Sequence, residues 1–276
     1  MGLKLALVGC GNMGSALLKG WLTLSNSMES FSSFWIINPH RENVAPFLKD
    51  KRVQWFSTPD ELPHSPDVII FAVKPLILDE VLPLYTTFDS FIISIASGRP
   101  LAFYETIFTS SRPILRVMPN TPVEFHKGVI GLLADMTLKP KHMNIVKMCF
   151  QELGFCLWVQ SDDELDKLTA ISGSGPAYIF YMMEALAKAA ESLGFHEETA
   201  MALAINTFWG ASNYAHETFA LGQRPEEHRQ RVTSPQGTTA AALKVLETGK
   251  FYNLIERAVD AAYTRAKEQA DERKSL

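Results

Sequence analysis

Short apolar runs alternate with helically spaced segments from the start of the chain to about residue 161. Runs of this length, rich in valine, isoleucine and phenylalanine, are typical of parallel strands that are buried on both faces. The predicted strands lie at residues 4–8, 34–37, 53–56, 67–73, 91–96 and 114–118, with two further candidates at 128–134 and 155–159. Helical spacing follows at residues 16–22, 76–85, 101–108 and 141–153. This alternation predicts an α/β fold with a mostly parallel sheet and helices on both faces.

The strand pattern ends near residue 162, and the remainder of the chain has helical spacing. Residues 177–193 are apolar on almost every side of the predicted helix, and residues 199–214 are similar. Helices of that kind are buried all round. A domain of about one hundred residues has little core in which to bury two of them. We therefore expect an all-helical domain at 162–276 that forms a homodimer, after a first domain at 1–161; a compact helical monomer is the alternative.

A glycine-rich turn, Gly9-Cys10-Gly11-Asn12-Met13-Gly14, joins the first predicted strand to the first predicted helix. In this pattern the first glycine makes the turn, the second lets a pyrophosphate approach the backbone, and the third lets helix and strand pack closely. The phosphates then lie on the helix N-terminus, where free N–H groups and the helix dipole favour negative charge. The motif predicts a Rossmann domain that binds a dinucleotide through Gly9, Gly11, Asn12, Met13 and Gly14.

The second predicted strand ends at Asn38, and His40 and Arg41 follow it. A domain that selects NAD usually has an acidic residue here, which binds the ribose 2′-hydroxyl. A neutral amide beside a guanidinium suits the 2′-phosphate of NADP instead, because nothing repels the added charge. We expect NADPH as the cofactor, with NADH as the second choice. The alternative is that Arg41 is an ordinary solvated loop residue.

Two further strands end in proline-containing sequences, Ala72-Val73-Lys74-Pro75 and Met118-Pro119-Asn120-Thr121-Pro122. Ligands of open α/β sheets bind beyond the carboxyl ends of the strands, at the same edge as the glycine turn. We therefore predict cofactor contacts from Ala72, Val73, Lys74 and Asn120. Plain turns are the alternative, since proline commonly follows a strand.

The stretch Ser172-Gly173-Ser174-Gly175-Pro176 lies where the two halves of the chain meet. Glycine permits backbone conformations that are closed to other residues, and proline suits the first turn of a new helix. The serine hydroxyls and the free N–H groups of such a break can hold a small polar ligand. A capped break between two helices explains the stretch equally well.

A second hydroxyl-rich stretch, Thr233-Ser234-Pro235-Gln236-Gly237-Thr238-Thr239, precedes a predicted helix at 240–246. Several hydroxyl and N–H groups converge there at a helix N-terminus, which favours the binding of an anion. An N-cap explains one of these hydroxyls but hardly all of them.

Composition narrows the classes of function. The 276 residues include 26 Lys and Arg against 30 Asp and Glu, and the net charge of −4 makes nucleic acid an unexpected partner. Three scattered cysteines and seven histidines show no ligand spacing, so we expect no metal. We find neither a signal peptide nor a run of membrane-spanning length, and we expect a cytoplasmic protein without membrane contact.

Together and in this order, the motifs resemble those of the pyrroline-5-carboxylate reductase family, nearly from end to end of the chain. The segments at 116–122, 172–178 and 233–239 are the most specific ones. The resemblance implies a Rossmann domain followed by a helical domain that interlocks with a second subunit, as a dimer or as a ring of dimers up to a decamer. It also implies NADPH-dependent reduction of 1-pyrroline-5-carboxylate to L-proline, the last step of proline biosynthesis.

The resemblance places the substrate between the nicotinamide and the helical domain, with its carboxylate held by the second hydroxyl-rich stretch. The residues expected at the substrate are Ser234, Gly237, Thr238, Thr239 and Gly175. Ser174 and Thr239 are the candidate catalytic residues. No histidine, aspartate or glutamate lies within the motifs, so the proton is expected from a protonated iminium, from water or from a threonine hydroxyl.

Gln236 departs from the family pattern, which usually has glycine at that position.

Two other classes of protein fit parts of the chain. The 3-hydroxyacid dehydrogenases also join a Rossmann domain to helices, but they rely on a lysine for which Lys167 and Lys188 are the candidates, and neither begins a glycine-rich helix. A non-catalytic dinucleotide-binding regulator shares the fold but has no need of the anion-binding stretch at 234–239.

Overall fold

The computed structural model describes residues 2–24, 30–108, 112–134 and 138–272. The chain forms two compact units, one of Met1–Ser174 with Ala262–Leu276 and the other of Gly175–Ala261. Among the described residues, no helix is both long enough and apolar enough to cross a membrane.

The first unit is built on an eight-stranded sheet of the described residues, in the order β3-β2-β1-β4-β5-β6-β7-β8. The strands are β1 Leu3–Val8, β2 Phe31–Ile37, β3 Val53–Phe56, β4 Val68–Phe71, β5 Phe91–Ser94, β6 Ile114–Met118, β7 Gly128–Ala134 and β8 Gly154–Trp158. All neighbouring strands are parallel except β6 and β7, which pair antiparallel. The predicted α/β class with a mostly parallel sheet is confirmed.

Helices cover both faces of the sheet. In the first unit they are α1 Asn12–Thr23, α2 Leu78–Val81, α3 Leu101–Ile107, α4 Pro140–Phe150 and α5 Asp162–Leu168. Side chains of β1 alternate between two cores, with Leu5 and Leu7 in the core that contains Trp21 of α1, and Ala6 and Val8 in the opposite core. Because both faces are filled with apolar side chains, the edge formed by the strand ends is the part of the sheet open to a ligand.

Two predicted elements differ from the structure. Strand β2 begins at Phe31 and not at residue 34, because Phe31 is buried and pairs with Leu3 of β1 ahead of a register shift. The sequence also predicts a polar loop at residues 25–33, of which positions 25–29 lie outside the described residues. The single helix predicted at 76–85 is instead the short helix α2 between two 3₁₀ turns. Pro83 contributes to this break, because it has no N–H to donate to the carbonyl four residues earlier.

The remaining helices are α6 Gly175–Ser192, α7 Glu197–Phe219, α8 Pro225–Arg231, α9 Thr238–Thr248 and α10 Phe251–Glu272. We expected α6 to be buried all round by packing against a second copy, and within one chain Ala187 is the buried residue of this helix. Phe180, Tyr181 and Trp209 are among the large apolar side chains that one chain leaves exposed. One chain by itself therefore leaves the apolar faces of these helices uncovered, in agreement with the expectation that a second copy covers them.

Candidate functional site

The glycine turn after β1 has a separate steric reason for each of its three glycines. Gly9 has φ of +94°, and a Cβ there would lie 2.9 Å from the carbonyl oxygen of Ala72. A Cβ on Gly14 would lie 2.4 Å from the carbonyl oxygen of Gly9, so this glycine allows α1 to approach the strand. A Cβ on Gly11 would meet nothing within 4 Å, which leaves open space above the backbone. This is the arrangement that the motif predicts.

At the N-terminus of α1, no side chain of the helix occupies the place where an anion would bind. Gly11 caps the helix without a side-chain hydrogen bond, and no acidic residue lies in the first turn. The first helical bond joins the N–H of Ser15 to the carbonyl of Gly11 at 2.8 Å, so the N–H groups of Asn12, Met13 and Gly14 precede the helical ladder. Free N–H groups and the positive end of the helix dipole fit the pyrophosphate of a dinucleotide.

The end of β2 lies beside this turn, because the N–H of Gly9 donates to the carbonyl of Ile37 at 2.9 Å. Asn38 is buried, and its Nδ2 donates to the carbonyl of His40 at 2.7 Å. Arg41 is exposed, with its Cζ 5.8 Å from the centre of the Trp55 ring. No carboxylate stands at the strand end itself, so the site fits a charged 2′-phosphate better than a bare ribose hydroxyl.

The residues that follow β4 lie at the same edge of the sheet as the glycine turn. The N–H of Ala72 donates to the carbonyl of Val8 at 2.8 Å, and Cγ1 of Val73 lies within 2.9 Å of the position a Gly9 Cβ would take. Lys74 is exposed and starts a short 3₁₀ turn. The structure thus brings Ala72 and Val73 to the glycine turn, as the sequence predicted.

Asn120, at the exit of β6, is already held by the chain. The residue is 6% exposed. Its Nδ2 donates to the carbonyl of Ser172 at 2.9 Å, and its Oδ1 accepts from the N–H of Val129 at 2.8 Å. These bonds engage the oxygen and one N–H of the amide. The predicted contact of Asn120 with the cofactor stays a prediction.

Residues Thr169–Gly173 form a turn of π-helix between α5 and α6. The N–H of Ser174 donates to the carbonyl of Thr169 at 2.9 Å, which closes the wider π-helical ring. Such single turns are frequent at functional sites.

We expected Gly173 and Gly175 to take conformations closed to other residues, but neither has a positive φ. That reasoning was wrong, because the break is made by one wider helical turn and not by a left-handed residue.

The hydroxyls of this π-turn are used unequally. Thr169 Oγ1 donates to the carbonyl of Leu165 at 2.7 Å, and Ser172 Oγ donates to the carbonyl of Leu168 at 3.0 Å. Within the described part of the chain, the hydroxyl of Ser174 has no hydrogen-bond partner, and this residue lines a cavity of about 200 Å³. Ser174 is therefore the hydroxyl of the turn that is available to a ligand.

A polar cluster beside this cavity was not predicted. Arg116 of β6 is buried and donates to Asp162, and both line a neighbouring cavity of about 250 Å³ together with Asp166. Burial raises the pKa of the Asp166 carboxyl, and the charge of Arg116 partly offsets this effect. An arginine within an otherwise apolar predicted strand was the one sequence signal for the cluster.

In the second unit, residues 234–237 form a hydrogen-bonded β-turn, in which the N–H of Gly237 donates to the carbonyl of Ser234 at 3.0 Å. Gln236 has φ of +60° at the third position of the turn, after Pro235 at the second. This is the signature of a type II turn, which favours glycine at the third position. A Cβ on Gly237 would lie 2.3 Å from Ser234 Oγ and 3.2 Å from the carbonyl oxygen of Ser234, so a larger residue here would displace the serine hydroxyl.

The turn leads into the N-terminus of α9. The first helical bond joins the N–H of Ala241 to the carbonyl of Gly237 at 3.1 Å, which leaves the N–H groups of Thr238 and Thr239 ahead of the ladder. The hydroxyls of Ser234, Thr238 and Thr239 bond to no residue that the structure describes. Thr233 does not share this property, because its Oγ1 donates to the carbonyl of Arg229 at 2.5 Å. Three hydroxyls remain, one fewer than the sequence suggested.

Comparisons with known proteins cover both halves of the chain. Residues 162–269 match the family described as pyrroline-5-carboxylate reductase dimerisation, and residues 4–98 match that described as NADP oxidoreductase, coenzyme F420-dependent. The chain is 33% identical to the pyrroline-5-carboxylate reductase of Pseudomonas aeruginosa, over 98% of this chain and 97% of that protein. It is 32% identical to that of Haemophilus influenzae, over 96% of each chain.

Solved structures agree with these matches. A pyrroline-5-carboxylate reductase from Coxiella burnetii gives a TM-score of 0.86 at 34% identity, covering 98% of this chain and 99% of that one. A pyrroline carboxylate reductase from Plasmodium falciparum, solved with NADP bound, gives a TM-score of 0.84 at 28% identity, covering 97% of this chain and 98% of that one. Both the sequence motifs and the fold therefore agree that the chain belongs to the pyrroline-5-carboxylate reductase family.

Proposed function

We propose that this protein reduces 1-pyrroline-5-carboxylate to L-proline with NADPH, the last step of proline biosynthesis. The observation that carries the proposal is the similarity to pyrroline-5-carboxylate reductases over nearly the whole chain. The reaction adds a hydride to the carbon of the C=N bond, and the ring nitrogen keeps the proton of the iminium form. Much of the rate enhancement then comes from positioning the two reactants.

The first unit holds the residues proposed to bind the cofactor. The N–H groups at Asn12, Met13 and Gly14 face the pyrophosphate, and the open space at Gly11 lets it approach. Ala72, Val73 and Lys74 border the same turn, next to Gly9. When bound, the dinucleotide supplies the hydride.

We assign the preference for NADPH to the end of β2. The exposed guanidinium of Arg41 binds the 2′-phosphate, and Asn38 presents no charge that would repel it. Glu42, next in the chain, is exposed, and its carboxylate lies 3.5 Å from Nδ1 of His40. NADH serves as a weaker donor.

The substrate carboxylate is assigned to the turn before α9. Ser234, Thr238 and Thr239 offer hydroxyls without a partner among the described residues, and the N–H groups at Thr238 and Thr239 add two donors. Gly237 closes this turn, because its N–H donates to the carbonyl of Ser234. Charge-assisted hydrogen bonds of this kind are the strong ones, and they hold a carboxylate in one orientation.

Ser174 and Thr239 are the proposed catalytic residues, with Gly175 at the substrate beside Ser174. The hydroxyl oxygen of either residue can accept a hydrogen bond from the N–H of the protonated imine, and neither hydroxyl is bonded to a described residue. Neither is a strong acid, so we assign them to orienting the protonated imine and not to supplying its proton.

The proposal extends to assembly and location. We propose a domain boundary between residues 161 and 162, supported by the start of the dimerisation match at residue 162. The exposed apolar side chains of α6 and α7 support a homodimer. The proposal includes a multiple of that dimer, up to a decamer. The protein acts on a small molecule in the cytoplasm.

The test is imine-dependent oxidation of NADPH by purified protein, followed by the loss of NADPH absorbance and by detection of proline. Lys167→Ala is the matched control for the hydroxyacid dehydrogenase alternative. The Nζ of Lys167 lies 2.6 Å from a carboxylate oxygen of Asp163, and this hydrogen bond raises the lysine pKa, so the amine stays protonated and is not free to accept a proton. We expect this variant to retain full turnover. Turnover of 3-hydroxyacids in place of the imine, abolished by Lys167→Ala, would refute the proposal.

A further inference from the structure

The carbonyl of Ser172 lacks its ordinary helical partner. In an α-helix it would accept from the N–H four residues later, and that residue is Pro176, which has no N–H. A buried carbonyl without a donor is costly, so a donor is expected from elsewhere. Ser172 is itself buried, and Nδ2 of Asn120 donates to its carbonyl at 2.9 Å. A side chain at the end of β6 therefore replaces the hydrogen bond that the proline removes.

The orientation of the Asn120 amide is determined by its partners. The N–H of Val129 can only donate, so the atom facing it at 2.8 Å is Oδ1. The carbonyl of Ser172 can only accept, so the atom facing it is Nδ2. Both contacts are satisfied in one orientation alone, which makes Asn120 a two-ended tie between β7 and the π-turn.

The residues that hold Asn120 are closely packed. The chain continues from Asn120 into a 3₁₀ turn at Thr121–Phe125, in which Val123 is buried. Cβ atoms on Gly20 of α1 and on Gly128 of β7 would lie 2.7 and 2.3 Å from atoms of Val123. Such contacts leave little room for this segment to shift, so they fix the position of Asn120. Through its hydrogen bond, Asn120 in turn fixes the position of the π-turn.

We propose that Asn120 is a positioning residue that holds the π-turn, and with it the Ser174 hydroxyl, in place relative to the carboxyl ends of the strands. This inference rests on the proposed function, because it assigns Ser174 to the substrate. It is an alternative to the direct contact with the cofactor that the sequence suggested for Asn120. The side chain acts through Ser172, two residues before Ser174, and touches neither reactant.

Asn120→Asp tests the tie with the least change of shape. The carboxylate still accepts from the N–H of Val129, but it faces the carbonyl of Ser172 without a proton to donate. We expect kcat for the imine to fall by about ten-fold or more, as for the loss of one buried hydrogen bond at the reacting geometry. We expect the dissociation constant for NADPH to stay within about two-fold, and amide hydrogen exchange at residues 169–175 to become faster.

Ser90→Ala is the matched control. Ser90 is buried at the opposite edge of the sheet, where its hydroxyl donates to the carbonyl of Pro66 at 2.7 Å. This variant also loses a buried hydrogen bond to a carbonyl, so it should lower the melting temperature without lowering kcat. An equal fall of kcat in Ser90→Ala would show that general loss of stability explains the effect, and it would overturn the proposal.

A second pair of variants, Asn120→Ala alone and Asn120→Ala combined with Pro176→Ala, tests the proposal even if Asn120→Asp folds poorly. Pro176→Ala gives the Ser172 carbonyl a backbone donor, so it should restore part of the stability and turnover lost in Asn120→Ala. If neither stability nor turnover recovers in the double variant, the proposed role of the hydrogen bond from Asn120 to the Ser172 carbonyl is wrong. A ten-fold weaker affinity for NADPH with unchanged kcat would show that Asn120 binds the cofactor after all. Absence of imine reduction by the unmutated protein would refute the proposed function instead, and hydrogen exchange would still test the tie.

Discussion

Gln236 occupies a backbone conformation that suits glycine, and replacing it should stabilise the protein. Its φ of +60° costs a non-glycine residue about 1–2 kcal/mol. Glycine loses about 0.5–1 kcal/mol more backbone entropy on folding, which offsets part of this gain. The Gln236 side chain is exposed and makes no hydrogen bond to the described residues, so little else is lost. Gln236→Gly should therefore raise the free energy of unfolding by up to about 1 kcal/mol.

The measurement is urea unfolding at a fixed protein concentration, since association makes apparent stability depend on concentration. A gain of about 1 kcal/mol corresponds to a melting temperature about 2–4 °C higher. Lys250→Gly is the matched control, because Lys250 has φ of +54° in the turn between α9 and α10. It should give a similar gain, and neither variant should change KM for the imine.

Two outcomes would refute this reasoning. If Lys250→Gly stabilises the protein and Gln236→Gly destabilises it, the Gln236 side chain makes a contact that outweighs the backbone strain. If Gln236→Gly raises KM for the imine at unchanged stability, the glutamine contributes to binding of the carboxylate and its conformation is secondary.

Four further predictions follow from the site and its surroundings. Arg41→Ala should weaken binding of NADPH more than of NADH, by about 1–3 kcal/mol for one charge-assisted contact; titration with each cofactor checks this, and equal losses would exclude contact with the 2′-phosphate. Thr239→Ala should raise KM for the imine about ten-fold and leave NADPH affinity unchanged; steady-state kinetics showing the reverse pattern would move the turn to the cofactor side. Sedimentation should show a dimer or a multiple of one, and a folded, active monomer at low concentration would contradict the role of α6 and α7. Asp166→Asn should stabilise the protein near neutral pH, because burial raises the pKa of this carboxyl in the folded state. The stability contributed by that bound proton is complete below the unfolded value of about 3.9 and is lost as pH rises through the folded pKa. The gain should therefore vanish in acid, and a difference between variant and parent that does not change with pH would refute this.

Much of the first unit could be predicted because its signals are local. Short apolar runs predict the strands. The steric roles of Gly9 and Gly14 follow from a turn that is complete within six residues. The prediction of a single helix at 76–85 failed for a local reason as well, since Pro83 was given too little weight against the apolar spacing.

Features that join distant parts of the chain could not be predicted. Asn120 and Ser172 are 52 positions apart, and Arg116 and Asp162 are 46 apart. A single sequence contains no sign of which buried carbonyl a given amide will reach. The assignment of Asn120 to the cofactor followed from its place at a strand end, whereas its contacts depend on how β7 and the π-turn pack beside it.

By itself the sequence determined the class of fold, the dinucleotide turn and the family, because each depends on residue types at short, fixed spacings. The tertiary structure decided which side chains remain available. It showed that the hydroxyls of Thr169, Ser172 and Thr233 are used within the chain, while that of Ser174 has no partner among the described residues. It also showed that Gln236 takes the conformation suited to glycine. Such outcomes depend on backbone geometry and on neighbours distant in sequence, which residue spacing alone does not encode.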